Sequence, residues 1–207
     1  MRDCGAGHHA VRPARRRASA GRPPTADHPR PGGTAWWTHE ARPCRGTSDV
    51  RRRQVGATDE DHRWLRHAVA LAGRCPPSTT AFSVGAVVVD SAGTPLAEGF
   101  SREGNDPHVH AEEAALAKIG PDDPRLPGAT VYSSLEPCAA RRSRPRTCTQ
   151  LILSAGVRRV VFAWREPTIF VDCDGAERLR AAGVSVVEVP ELAESARAVN
   201  GHLLGPR

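Results

Sequence analysis

No stretch of the 207-residue chain approaches the ~18 consecutive apolar residues of a membrane-spanning helix, so a helical membrane span is excluded. The first 57 residues also lack the roughly 7–15-residue apolar core of a secretory signal peptide. No internal repeat is present, and methionine is absent after Met1, which leaves a true translation start near Val50 or Val55 open. The positive charge of the whole chain, +6, is missing from its larger part. Residues 1–57 hold 12 arginines against four acidic residues, whereas residues 58–207 hold 17 basic against 19 acidic. That larger part has no overall field to attract a polyanion, and nucleic acid is disfavoured as its partner.

What remains fits one ordinary domain with an appendage, at ~150 residues per domain. The leader is broken by Arg15-Arg16-Arg17, Pro23-Pro24 and Arg51-Arg52-Arg53. It buries too little apolar surface to offset the ~1–2 kcal/mol per residue that ordering costs, and disorder is expected over 1–57. Its composition also suits a targeting segment or a weak nucleic-acid-binding arm. A domain is expected over 58–190, with a C-terminal helix or tail over 191–207.

From Thr58 the pattern becomes regular. Trp64, Leu65, Ala68, Val69 and Ala72 recur at helical spacing and predict a helix over 59–74, ended by Pro76-Pro77. The β-branched run from Phe82 to Asp90 predicts a buried strand, and 96–101 returns as its hairpin partner. Helix, strand, helix, strand, helix, strand follow over 110–118, 130–134, 148–155, 159–163, 176–182 and 184–189, with Gly156 and Gly183 as stops. Short apolar strands alternating with helices imply a three-layer α/β/α domain around a five-stranded mixed sheet.

These elements bring three features toward one cleft: His110-Ala111-Glu112 opening a helix, Pro137-Cys138 after a strand, and Cys148 opening the next helix. One imidazole and two thiolates make a three-ligand Zn2+ site with an open fourth position, the pattern of catalytic rather than structural zinc, where bound water reaches a pKa near ~7. Glu112, two residues from His110, is placed off the metal as proton carrier. Cys148 at a helix start is favoured as thiolate by the helix dipole. Cys4, Cys44, Cys75 and Cys173 show no disulfide spacing, and thiolate ligands fit a reducing, cytoplasmic compartment. His108 is expected at the surface rather than as a fourth ligand.

The H-x-E and later P-C with a further Cys resemble the cytidine-deaminase-like zinc hydrolases. Nine residues separate Cys138 from Cys148, where that superfamily usually has two. A similarly long insertion marks the pyrimidine deaminase of riboflavin biosynthesis, with an ending like Arg144-Pro145-Arg146-Thr147-Cys148. The likeness runs through Val84-Gly85-Ala86, Ser134-Leu135-Glu136-Pro137-Cys138, Leu151 to Val161 and Leu179 to Val184, about residues 60–190. It implies hydrolytic deamination of an amino-pyrimidine, most simply the diaminopyrimidinone ribotide of riboflavin biosynthesis, by a freestanding domain that assembles as a homodimer or larger. Two departures stand out. The family's substrate-holding Asn is missing from Thr79-Thr80-Ala81-Phe82-Ser83, and His-Ala-Glu is followed by Glu113-Ala114.

Substrate contacts are expected from Arg141, Arg142, Arg144 and Arg146, whose guanidinium groups suit a phosphate, and from Phe82, Asn105 and Trp164 around a base or ribose. Solvated arginines and core aromatics are the competing structural reading. Cytidine or deoxycytidylate, then a tRNA adenosine, are the alternative substrates. A catalytically inactive zinc- or partner-binding module is the alternative of another class.

Overall fold

A computed structural model describes residues 56–167 and 174–204. The leader up to residue 55, with Cys4 and Cys44, lies outside the described residues, as does Cys173.

Helix α1, Asp59–Ala72, starts in a reciprocal cap: Thr58 Oγ1 accepts from Asp61 N and Asp61 Oδ2 from Thr58 N. Strands β1 (Gly85–Val89) and β2 (Pro95–Phe100) form a hairpin. Then come α2 (Ala111–Leu116), β3 (Thr130–Leu135), α3 (Cys148–Ser154), β4 (Arg159–Trp164), α4 (Gly175–Ala181), β5 (Ser185–Glu188), α5 (Ala193–Val199) and α6 (Gly201–Leu204). The five strands make one mixed sheet in the order β2-β1-β3-β4-β5. Strand β1 is antiparallel to both neighbours, while β3, β4 and β5 are parallel and joined by helical crossovers.

Two glycines show how closely the helices sit. A Cβ on Gly85 would lie 2.1 Å from the Ala68 carbonyl oxygen of α1, and one on Gly99 would lie 2.4 Å from the Ala111 carbonyl oxygen of α2. Ala86 pairs with Gly99 across the hairpin. Neighbours along a strand face opposite sides, so α1 and α2 cover opposite faces of the sheet. Helix α5 packs beside α1, and α3 and α4 continue the α2 layer. Val87, Val88, Val131, Val160 and Val161 are fully buried between these layers, as continuous β-branched runs require.

The differences from the expected elements have local causes. The strand expected from Phe82 begins only at Gly85, because the preceding backbone bonds to side chains: Ser83 N donates to Asn200 Oδ1 at 2.7 Å and Val84 N to Ser101 Oγ at 3.2 Å. Helix α2 ends at Leu116 rather than Lys118, whose ammonium instead holds Glu98 O and the Glu103 carboxylate. Residues 193–204 form α5 and α6, with Ala196 and Asn200 buried against the domain.

Asp61 locks α1 to the sheet. It is 2% exposed, accepts two hydrogen bonds from the Arg159 guanidinium at 2.7 and 2.9 Å and a third from Tyr132 Oη at 3.0 Å. Burial alone would raise its pKa, but the Arg159 bonds and charge and the Thr58 amide outweigh it and hold the carboxyl at about 2. Because the folded-state value is depressed, the stabilisation is complete above the ordinary carboxylate range and is lost as pH falls toward 2. Asp61→Asn leaves the half-buried Arg159 guanidinium without its counter-charge and is expected to destabilise by roughly 1–3 kcal/mol near neutrality. In urea denaturation, the gap between parent and variant should shrink between pH 4 and pH 2; a constant gap would contradict the assignment.

Candidate metal centre and pocket

The site forms at the C-terminal end of β3, where an open sheet with parallel strands places its crevice. His110 is the extended residue before α2, Cys138 lies just past β3, and Cys148 is the first residue of α3. Helix α3 is started by a second reciprocal cap, Thr147 Oγ1 accepting from Gln150 N and Gln150 Oε1 from Thr147 N. This cap fixes Cys148, whose amide donates to Cys138 Sγ at 3.4 Å.

His110 Nδ1 lies 3.6 Å from Cys138 Sγ and 3.5 Å from Cys148 Sγ, and the three donor atoms fall within 4.8 Å of one another. Zinc bonds of ~2.0 Å to nitrogen and ~2.3 Å to sulfur meeting at a tetrahedral angle put N and S about 3.5 Å apart. The spacing and the donor set therefore fit zinc. The hydrogen bond with Cys148 keeps the Cys138 thiol well below its usual range against the pull of burial. The same bond, with burial and the charge of Glu112, pushes Cys148 far up. Burial would lower the His110 pKa, yet its hydrogen bond to Cys138 and the charge there raise it on balance.

Glu112 is 3% exposed and stands beside this group, with Oε1 accepting from Ser133 Oγ at 2.8 Å. His110, Glu112 and Cys138 all open onto a cavity of about 350 Å³, at the small end of ligand sites. Its other walls include Phe82, Arg102, Glu136, Arg141 and Arg142. Glu136 is buried, which raises its pKa, and it accepts from Ala176 N at 2.8 Å.

The remaining expected contacts are dispersed. Of the loop arginines, Arg141 and Arg142 line the cavity. The Arg141 side chain is 3% exposed and paired to Glu113 at 2.8 Å, with Nε and Nη1 unpartnered. Arg144 pairs with Asp106 and Glu113, and Arg146 lines a separate groove beside Leu116 and Leu151. Arg144 and Arg146 are thus drawn away from the cavity that sequence reasoning assigned them to, the first by carboxylates and the second by the course of the loop. Asn105 is exposed on a turn with φ 62° and is not on the cavity wall. Trp164 is buried, with its ring against the edge of Phe82 at 5.3 Å, so it supports the wall rather than forming it. His108 is exposed. Sequence reasoning missed Ser133, Arg102 and Asn200 as site-building residues; the one available signal was a polar residue inside an apolar strand, for Ser133.

An α/β/α sheet with a His/Cys/Cys group and a buried glutamate at the end of its parallel strands defines a zinc-hydrolase type of protein. A family model, the cytidine and deoxycytidylate deaminase zinc-binding region, matches residues 58–164, and the chain belongs to that family. It is 38% identical over 143 residues to a diaminohydroxyphosphoribosylamino-pyrimidine deaminase of Schizosaccharomyces pombe, covering 67% of this chain and 35% of the relative. Among solved structures it is similar to Acinetobacter baumannii RibD, with a TM-score of 0.60 and 31% identity over 70% of this chain and 39% of that one. It is likewise similar to an Aspergillus oryzae Rib2 deaminase C-terminal deletion mutant, with a TM-score of 0.58 and 25% identity over 67% of this chain and 89% of that one. The chain spans about a third of the length of the curated relatives it matches first.

Proposed function

We propose that this protein is a zinc-dependent hydrolytic deaminase of an amino-pyrimidine ribotide, the diaminohydroxyphosphoribosylaminopyrimidine of riboflavin biosynthesis. The observation that carries the reading is the buried Glu112 beside the gathered His110, Cys138 and Cys148 donors, with Glu112, His110 and Cys138 opening onto one small cavity. Kinship with the fission-yeast deaminase supports the substrate.

His110 Nδ1 and the two sulfurs would hold zinc, which when bound supplies a Lewis acid that makes water a competent nucleophile near neutral pH. Glu112 takes a proton from the attacking water, delivers one to the ring nitrogen, and passes the next to the departing amine, so that water and amine are exchanged for a ring carbonyl and ammonia. Ser133 holds Oε1 of Glu112 and leaves the other oxygen to carry the proton. The apolar side of the cavity around Phe82, Val84 and Leu135 excludes bulk water from the ring. Thiolate ligands suit a cytoplasmic enzyme, and the reading extends to a homodimer.

Arg142 is the exposed arginine of the cavity and has no ion-pair partner among the described residues, whereas Arg102 is buried and bonded to the wall, and this suits Arg142 to the substrate phosphate. Arg142→Ala is expected to raise KM for the ribotide about tenfold, the worth of one charge-assisted hydrogen bond, with the KM for a phosphate-free pyrimidine unchanged. Equal effects on both would remove the phosphate role. The function itself is tested by an ammonia-release screen of the ribotide against cytidine and deoxycytidylate. Release from the ribotide is expected. One zinc per chain with no ammonia from any pyrimidine would favour a non-catalytic module instead.

A further inference from the structure

The cavity wall between α1 and β1 is a segment without a strand ladder. Thr80, Ala81, Phe82 and Val84 line the cavity, and two side chains far away in sequence hold this segment. From one side comes Arg102, which sits at φ 64° and ψ 23°, left-handed backbone that a long side chain adopts at a cost. Its residue is 7% exposed. Its Nε donates to Pro76 O at 2.9 Å, Nη1 to Phe82 O at 2.9 Å, and Nη2 to Ser83 Oγ at 2.8 Å. No carboxylate pairs with it among the described residues, so these oxygens alone offset its buried charge. From the other side comes Asn200, which follows α5 and is 2% exposed. Its Oδ1 accepts from Ser83 N at 2.7 Å while its Nδ2 donates to Ser83 O at 3.0 Å, a two-point grip on a single residue's backbone. A second Nδ2 bond, to Ala196 O at 3.1 Å, ties the amide to its own helix.

Ser83 is therefore held through both backbone groups and its hydroxyl, and its neighbour Phe82 is fixed between this grip and Trp164. Each of the three Arg102 side-chain nitrogens donates to this segment or to Pro76 beside it, and both Asn200 side-chain polar atoms bond to Ser83, so the two residues hold the wall. We infer that Arg102 and Asn200 are positioning residues that set the wall against which the pyrimidine ring docks, making the C-terminal helix α5 a part of the substrate site. The inference rests on reading this cavity as the substrate pocket. It accounts for a wall that keeps its shape although it contains no asparagine of its own between Thr79 and Ser83. The unusual backbone at Arg102 is held by five bonds: the three side-chain bonds above, a further one from Nη1 to Ala81 O at 3.5 Å, and that from its N to Val109 O at 2.9 Å.

The test uses the zinc-loaded full chain with Asn200→Asp, Asn200→Ala and Arg102→Lys. Asn200→Asp keeps size and the acceptor for Ser83 N but replaces the donor with an oxygen facing Ser83 O. Arg102→Lys keeps the charge but cannot reach three acceptors at once. Each variant is expected to raise KM, and the dissociation constant of the deaminated product measured by calorimetry, about tenfold or more. The kcat should stay within about threefold and zinc at one per chain. Amide hydrogen exchange should quicken over 78–84 and not over α2 or α3. A purely structural role would instead lower kcat, zinc content and melting temperature together, and that result overturns the inference. So does product affinity equal to the parent in the variants that fold. A parent chain that binds no pyrimidine at all would overturn the proposed function first, and this positioning role with it. Should Asn200→Ala fail to fold, Asn200→Asp and Arg102→Lys give the same readouts.

Discussion

Glu112→Gln is expected to yield a folded protein that carries zinc and has lost nearly all turnover. General acid–base help is typically worth ~10²–10⁴-fold, and here one carboxylate serves both the water and the leaving amine, so the loss should reach at least the upper part of that range. The amide keeps the size of the side chain and an oxygen for the Ser133 hydroxyl, which now donates to Oε1 at 2.8 Å, but it has no proton to give and no basic oxygen to receive one. Because Glu112 is not among the three gathered donors, metal analysis should still find one zinc per chain. Ammonia release together with zinc content decides the matter. A variant working at close to the parental rate would remove Glu112 from the chemistry, and a variant without zinc would mean that the carboxylate supports the metal site rather than the proton.

Cys148→Ala is expected to abolish zinc binding and, with it, a large part of the stability of the domain. Cys148 is fully buried and sits within hydrogen-bonding reach of both other donors. An ion that binds only the folded chain stabilises it by about 4 kcal/mol at 1,000 times its dissociation constant. In the parent, added zinc should therefore raise the melting temperature and a strong chelator should lower it; in Cys148→Ala neither addition should have an effect. A zinc-dependent melting temperature that survives the substitution would show that the ion sits elsewhere. Truncation to alanine also leaves a small void under α3, so the comparison that matters is the response to metal, not the absolute melting temperature.

The arrangement of strands was readable from sequence because Val87-Val88-Val89 and Val160-Val161 are runs that only a covered sheet accommodates, and because Gly156 and Gly183 punctuate the crossovers. The metal group was readable because its members stand at element starts and ends: His110 before one helix, Cys138 after a strand, Cys148 opening the next helix. Local spacing reports such positions well. It does not report which charges find each other. Four arginines between two cysteines read as a free cationic loop, yet Glu113 and Asp106, on a helix and a turn distant in sequence, engage Arg141 and Arg144. Asn200 meets Ser83 across 117 positions, and Arg102 matters through a backbone angle that no composition announces. Trp164 looked like a stacking surface because aromatic residues near a pocket suit that role, but it lies buried behind Phe82, ring against ring at 5.3 Å, and belongs to the core.

The Glu113 pairs carry a consequence for how the ion is chosen. The glutamate that follows Glu112 grips the loop spanning the two cysteines and also accepts from the His110 amide at 3.4 Å, so all three ligands belong to one braced frame before any ion arrives. A frame braced in this way selects its guest by shape. Cupric ion, though favoured over zinc by intrinsic affinity, prefers a tetragonal set of neighbours, which three donors spaced for a tetrahedron do not offer.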